Sequence, residues 1–152
     1  MIAFRLAAAH DRQFIISGWS SSFRTSHSAG MIHMDDWADV MHRQIVRVLD
    51  RPSVVTLVAY DTEETDRIAD LAGFIAFDNG RTVPVVYYVY VPQTKRRLGI
   101  ARSLFRRARI DPTKPFAFAC KTAIVSQLKA KIPCAKWTPL TARFDEEKET
   151  AA

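Results

Sequence analysis

No apolar run in the 152 residues reaches the roughly 18 that would suggest a membrane-spanning helix. The first twenty residues make a poor secretion signal, because Arg5, His10, Asp11 and Arg12 interrupt any apolar stretch. The expected location is therefore the cytoplasm. Cysteine is scarce. Cys120 and Cys134 lack metal-ligand spacing, and two are too few for a disulfide framework at this length, so both read as reduced thiols. Nothing supports a metal site or a Ser-His-Asp triad, since Ser20, Ser21 and Ser22 have no partners at useful spacing. No linker, repeat or low-complexity stretch divides the chain. A single domain over residues 1–144 is expected, followed by an acidic tail, 145–152.

The charged fraction, 25%, and the hydrophobic fraction, 48%, are those of an ordinary globular domain with a sizeable core. The net charge of +6 and the sequence pI near 9.6 favour an anionic partner. That charge is concentrated: residues 95–109 carry seven Lys or Arg and no acid. The tail, with Asp145, Glu146, Glu147 and Glu149, reads as a solvated terminus.

The most informative stretch is Val85 to Arg109. Val85 to Val91 is a run of β-branched and aromatic residues suited to a strand buried on both faces, and Pro92 ends its pairing. Strict alternation places Tyr88 and Tyr90 on one face, Tyr87 and Val89 on the other. Ala101, Leu104, Phe105 and Ala108 then follow the spacing of one apolar helix face, with Arg102, Arg106 and Arg109 mainly opposite. Between strand and helix lies a basic turn. The first N–H groups of a helix lack intrahelical acceptors and carry the positive end of its dipole, so such a turn binds anionic oxygens, phosphate above all. Gly99 admits close approach of a ligand, Ala101 is nearly as small, and Arg96 and Arg97 add positive charge.

The rest of the chain reads as follows. Met1–Ala7 is a first strand. A helix capped by His10 or Asp11 runs to about Phe23, with Gly18 a weak point. A loop covers Thr25–His33. A second helix starts at Asp35 or Asp36 and carries Trp37, Val40, Met41, Ile45, Val48 and Leu49. Strands follow at Ser53–Tyr60 and Asp70–Phe77, and Asn79-Gly80 signals a hairpin into the long strand. Beyond the central helix come a short strand, Phe116–Cys120, a helix, Thr122–Lys131, and a last strand or hairpin within Ala135–Phe144.

Arg96-Arg97-Leu98-Gly99-Ile100-Ala101 resembles the Arg/Gln-x-x-Gly-x-Gly/Ala signature of the GNAT superfamily of acyl-CoA-dependent N-acyltransferases. The element order, β-α-α-β-β-β-α-β-α-β, resembles that fold from Ile2 to about Phe144; the motif resemblance is confined to about Tyr88–Ala101. The resemblance implies an α/β domain whose mixed, mostly antiparallel sheet is flanked by helices. It implies acetyl-CoA as cosubstrate, with its pyrophosphate on Arg96, Arg97, Leu98, Gly99, Ile100 and Ala101. The acyl chain would enter a V-shaped opening between the strand ending at Val91 and the one at Phe116–Cys120, and backbone N–H groups at Tyr90 and Val91 would serve the thioester carbonyl. The Trp19–Arg24 and Tyr87–Val91 phrases further resemble small GNAT proteins of phages and prophages.

The chain departs from the family at two positions. A glutamate often stands three residues before the strand's final valine, and Tyr88 holds that place. A tyrosine often acts as general acid on the later helix, and Ser126 aligns with it. Tyr88 and Ser126 are therefore the candidate catalytic residues, although a tyrosine or serine hydroxyl is a poor base at pH 7. Tyr88 also reads as a core or cleft-wall aromatic. His27 and His33 lie near the family's acceptor site, where a histidine could take an ammonium proton, and read equally as surface polar residues. His10 and His42 read as ordinary helix positions.

The leading expectation is an N-acetyltransferase acting on an unidentified amine by direct attack in a ternary complex. One alternative is a non-catalytic GNAT-like module binding coenzyme A or a protein. A third is nucleic-acid binding through the basic turn-helix, against which stands the lack of any aromatic there except Phe105, which the helix period sends to the core. Neither a membrane nor nucleic acid is the expected partner, and a homodimer is left open.

Overall fold

A computed structural model describes residues 1–23, 34–63, 71–80, 82–111, 113–119 and 135–137, without the side chains of 22, 23, 34–38 and 135–137. In chain order the elements are β1 (Ile2–Leu6), α1 (Arg12–Phe23), α2 (Met34–Leu49), β2 (Val55–Asp61), β3 (Leu71–Asp78), β4 (Val85–Tyr90), α3 (Ile100–Arg107), β5 (Phe116–Phe118) and β6 (Ala135–Trp137). The six strands lie in sequence order in one sheet. β1 to β4 are antiparallel neighbours, whereas β4–β5 and β5–β6 are parallel. This is the mixed, mostly antiparallel sheet flanked by helices that the pattern implies. The expected helix 122–131, both cysteines and the acidic tail lie outside the described residues.

Both faces of the sheet are covered, which is why every residue of β3 is buried. On one face α1 and α2 bring Ile15, Trp19, Met41, Ile45 and Val48 against Val58, Phe74, Ala76 and Val85. On the other face α3 sets Ile100, Leu104 and Ala108 against Ile75, Phe77, Val86 and Phe118. At roughly 1.5–3 kcal/mol for each large apolar side chain fully buried, these two layers dominate the stability. The α3 stripe carries Leu104, Phe105 and Ala108 as expected and differs at its first position. Ile100 is buried and Ala101 exposed, because Ile100 is the first residue to turn onto the sheet.

The alternation expected along β4 also fails at one place. Val86 pairs with Phe77 and Tyr88 with Ala76, so Tyr87 is an extra residue opposite β3. The bulge puts Tyr87 on the same face as Tyr88, in the α1/α2 layer, while Val86 and Val89 face α3. The Tyr87 hydroxyl accepts a bond from Arg51 Nη1 at 3.2 Å. The β3–β4 connection is likewise longer than a two-residue turn, running through residues 79–84. Asn79 serves α3 instead: its Nδ2 donates to the carbonyls of Ala108 (2.9 Å) and Arg109 (3.3 Å).

Helix α1 begins one residue after the expected cap. A single 3-10 turn, Ala9–Asp11, precedes it, and Asp11 is 1% exposed. Its carboxylate accepts both guanidinium nitrogens of Arg5 and, at 2.7 Å, the Ala8 N–H. Burial pushes the Asp11 carboxyl up, but the Arg5 pair and the Ala8 N–H outweigh it and hold it below the usual carboxylate range. A carboxyl lowered by folding stabilises the native state above its unfolded pKa of about 3.9, and that stability is lost as pH falls through the lower folded value. The melting temperature should therefore drop below about pH 4, and Asp11→Asn should flatten that acid limb. Parallel acid limbs in the parent and Asp11→Asn would remove Asp11 from the account.

An apolar groove of about 370 Å³ lies where β1 ends and β2 begins, lined by Leu6, Ala8, Ile15, Leu49, Val54 and Val55 among others. The antiparallel order of β1 to β4 puts it at the opposite end of the sheet from the C-terminus of β4.

Candidate acyl-CoA site

Among the described residues the β4–β5 ladder ends just before the bulge. β5 pairs with β4 only at Val85 and Val86, where the Ala117 N–H reaches the Pro84 carbonyl and the Ala119 N–H the Val86 carbonyl. Tyr87 to Tyr90 have no β5 partner among the described residues. β3 instead follows β4 to Tyr90, which pairs with Phe74. The C-terminal end of β4, the side where the basic turn begins, is thus held by β3 and has no β5 partner among the described residues.

β3 holds that end closely. A Cβ built on Gly73 would lie 2.6 Å from the Tyr90 carbonyl oxygen, so only glycine fits there, and its φ of +155° lies outside the region L side chains favour. In a planar trans peptide the C=O and the following N–H point in opposite directions. The Tyr90 carbonyl faces β3, so the Val91 N–H points away from β3. Val91 itself is the first residue beyond β4.

From Val91 the chain passes Pro92, a 3-10 turn at Gln93–Lys95, and Arg96 to Gly99 before entering α3. Two residues of this turn are left-handed: Arg97 at φ 68° and Gly99 at φ 74°. A non-glycine residue there stores about 1–3 kcal/mol, which the surrounding structure must hold in place. Arg96 supplies one tie, its Nε donating to the Val91 carbonyl at 3.0 Å. Lys95 supplies another, its Nζ 3.9 Å from Asp61 at the end of β2. Leu98 is 64% exposed, and among the described residues no atom outside the chain neighbours comes within 4 Å of a Cβ built on Gly99. Ala101 is exposed beside it. The turn therefore presents open space in front of helix N–H groups that have no acceptor within α3.

The other wall is aromatic. Tyr88 is 5% exposed and stacks on Trp19, ring centres 5.0 Å apart and planes within 10°. Phe74 lies 5.8 Å from both Tyr88 and Tyr90, and Phe14 packs against Phe74 and Tyr90. The half-buried Tyr90 ring lies against Gly18, where a Cβ would meet it at 2.9 Å. The glycine that weakens α1 as a helix is thus what lets the ring lie there. Trp19 is fully buried with its indole N–H unpaired, so ring packing holds it. Ser126, His27 and His33 lie outside the described residues. His10 is 3.4 Å from Asp11 and belongs to the α1 entrance, not to this wall.

No family model and no curated protein matches the sequence. Solved structures do. A protein of Pyrococcus furiosus described as an acetyl transferase superposes with a TM-score of 0.61 at 14% identity, over 86% of this chain and 91% of that one. The chain has the GNAT fold. A Clostridium acetobutylicum protein described as an acetyltransferase, solved with acetyl-CoA, gives 0.55 at 14% identity over 86% and 88%. The PaiA N-acetyltransferase of Thermoplasma acidophilum, solved with coenzyme A, gives 0.51 at 18% identity over 72% and 70%. In this GNAT fold the signature-like turn occupies the β4–α3 connection.

Proposed function

We propose that the chain binds acetyl-CoA at the β4–α3 turn and transfers the acetyl group to an amine. The observation that carries this reading is the coincidence of three features at one end of β4. Tyr87 to Tyr90 have no β5 partner among the described residues, the Val91 N–H points away from β3, and the left-handed Gly99 leaves open space at the start of α3. The pyrophosphate would accept from the N–H groups of Gly99, Ile100 and Ala101, with Arg97 and Leu98 shaping the turn. Because Arg96 braces Val91, its part is to position the turn as well as to add charge.

In this reading the Val91 N–H donates to the thioester carbonyl, with Tyr90 fixing the strand's direction. Attack by the amine nitrogen forms the amide bond and breaks the C–S bond, and the negative charge passing through the carbonyl oxygen is what a fixed donor stabilises. The amine must lose a proton and the thiolate gain one. Tyr88 lies under Trp19 in the core layer, so proton movement falls to water. Tyr88→Phe is expected to reduce turnover by less than about a hundredfold, the low end for acid–base groups, and Ser126→Ala likewise. A larger loss in Tyr88→Phe at unchanged acetyl-CoA affinity would give that hydroxyl a direct catalytic role.

Acetyl-CoA at about 100 times its dissociation constant should stabilise the fold by roughly 2.7 kcal/mol. That is a rise of about 5–10 °C in melting temperature for a chain of this size. No shift at millimolar acetyl-CoA would count against the site. The burial of Tyr88 at the usual glutamate position favours a second reading, a module that binds coenzyme A without turning over. A thermal shift with acetyl-CoA but no thiol release across a broad amine panel would favour that module.

A further inference from the structure

Phosphate binding at the turn accounts for the cations next to Gly99 but not for those further along α3. Arg106, Arg107 and Arg109 lie 7 to 10 residues beyond Gly99. At 1.5 Å per residue that is on the order of 10 Å from the helix start, past the turn that would hold the pyrophosphate. Arg102 and Arg106 stand one turn apart on one face, and all four arginines are exposed. None of the four side chains forms an ion pair or hydrogen bond with a described residue; the Arg107 guanidinium lies 5.1 Å over the Phe4 ring.

Two carboxylates near the end of α3, Asp111 in sequence and Asp78 beside Asn79, are engaged elsewhere. Asp111 accepts the N–H and hydroxyl of Thr113, and Asp78 is buried with the Gly80 N–H on it. Nor does the fold require these arginines. The buried side of α3 is Ile100, Leu104 and Ala108, and the carbonyls of Ala108 and Arg109 are already served by Asn79. A helix dipole favours a cation near its C-terminus by about 0.3–1 kcal/mol, which accounts for one arginine rather than a cluster.

We infer that the exposed side of α3, built on Arg102 and Arg106 and continued by Arg109 just past its end, is a docking surface for the phosphate backbone of a nucleic-acid duplex. Two observations choose this partner. Protein interfaces draw their affinity from buried apolar anchors, and this face offers none; the exposed large apolar side chains among the described residues are Met1, Leu6, Val40, Val55, Val83 and Leu98. Nucleic-acid affinity instead comes from neutralising phosphates, and arginine's planar fork suits that geometry. Single strands are held by stacking on aromatic rings. The aromatic on α3, Phe105, is half-buried against Phe116 at 5.7 Å, so the face suits a duplex read without sequence preference.

The experiment uses the full-length protein and a fluorescent 20-base-pair DNA duplex of mixed sequence. Binding is read by anisotropy between 25 and 200 mM salt (about one order of magnitude). One phosphate contact each from Arg102, Arg106 and Arg109 predicts a log–log salt slope near −2.7, Arg107 being engaged on Phe4. Arg106→Gln/Arg109→Gln should reduce that slope to about −0.9. The same variant should keep the parent's circular dichroism and acetyl-CoA thermal shift, which separates this surface from the cofactor turn. Absence of duplex binding at the lowest salt would overturn the proposal. So would an unchanged slope in the variant, or equal binding to poly-glutamate or to vesicles of anionic lipid. A simultaneous loss of the acetyl-CoA shift would place Arg106 and Arg109 in the cofactor site and overturn it too. Failure of acetyl-CoA to bind the parent, with duplex binding intact, would overturn the acyltransferase reading alone.

Discussion

Gly73→Ala is expected to lower the melting temperature by about 5–10 °C and to remove most acetyl transfer. Its Cβ would lie 2.6 Å from the Tyr90 carbonyl oxygen, a backbone atom that cannot swing aside as a side-chain tip can. Either β3 or the end of β4 must move, and overpacking of this kind costs about 1–3 kcal/mol. The positive φ adds strain for any L side chain. At about 2–4 °C per kcal/mol for a domain of this size, the sum gives the stated shift. Activity should suffer beyond stability, because the peptide that moves is the one carrying the Val91 N–H. Gly80→Ala is the control: its Cβ meets only the Asp78 carboxylate, at 3.4 Å. Thermal denaturation of the two variants decides the matter. If Gly73→Ala melts with Gly80→Ala, the close approach of β3 to Tyr90 does not constrain the strand.

Gly99→Val is expected to weaken acetyl-CoA binding at least a hundredfold while the protein stays folded. The two effects separate because the space beside Gly99 is open: among the described residues no atom outside the chain neighbours lies within 4 Å of a Cβ there, so the added side chain displaces none of them. The cost to the fold is that of a branched residue at φ 74°, about 1–3 kcal/mol. The cost to binding is larger, since the new methyl groups fill the volume a pyrophosphate needs against the N–H groups of α3. Gly99→Ala should fall between the parent and Gly99→Val. Calorimetric titration with acetyl-CoA gives the order, and a folded Gly99→Val that binds like the parent contradicts it.

Much of this arrangement is legible in the sequence because it follows from local chemistry. The β-branched and aromatic run at Val85–Val91 leaves little choice but a buried strand. A basic, glycine-containing turn before an amphipathic segment announces a helix N-terminus open to anions. The Asn79-Gly80 signal correctly joins two antiparallel strands but not through a two-residue turn, because Asn79 is taken up in capping α3, a tertiary role that a dipeptide cannot reveal.

Other features depend on contacts between strands. The bulge at Tyr87 inserts one residue into a run where every side chain is apolar or aromatic, so nothing in the pattern marks the slip. It moves Tyr87 to the face of Tyr88. Gly73 lies in an ordinary apolar segment, and its need for glycine arises from Tyr90 across the strand pair. Burial of Ile100 rather than Ala101 is a shift of about 100° around the helix, smaller than the width of an apolar stripe. Asp11 could be read as a cap, but its pairing with Arg5 is set by where β1 ends.

The central claim is that the β4–α3 turn holds acetyl-CoA, and a crystal structure of the protein grown with millimolar acetyl-CoA tests it most directly. The account predicts density for the pyrophosphate against the N–H groups of Gly99, Ile100 and Ala101, with the thioester beside the Val91 N–H. Density in the apolar groove beside Leu6 and Val55 at the other end of the sheet, or none at either place, would contradict it.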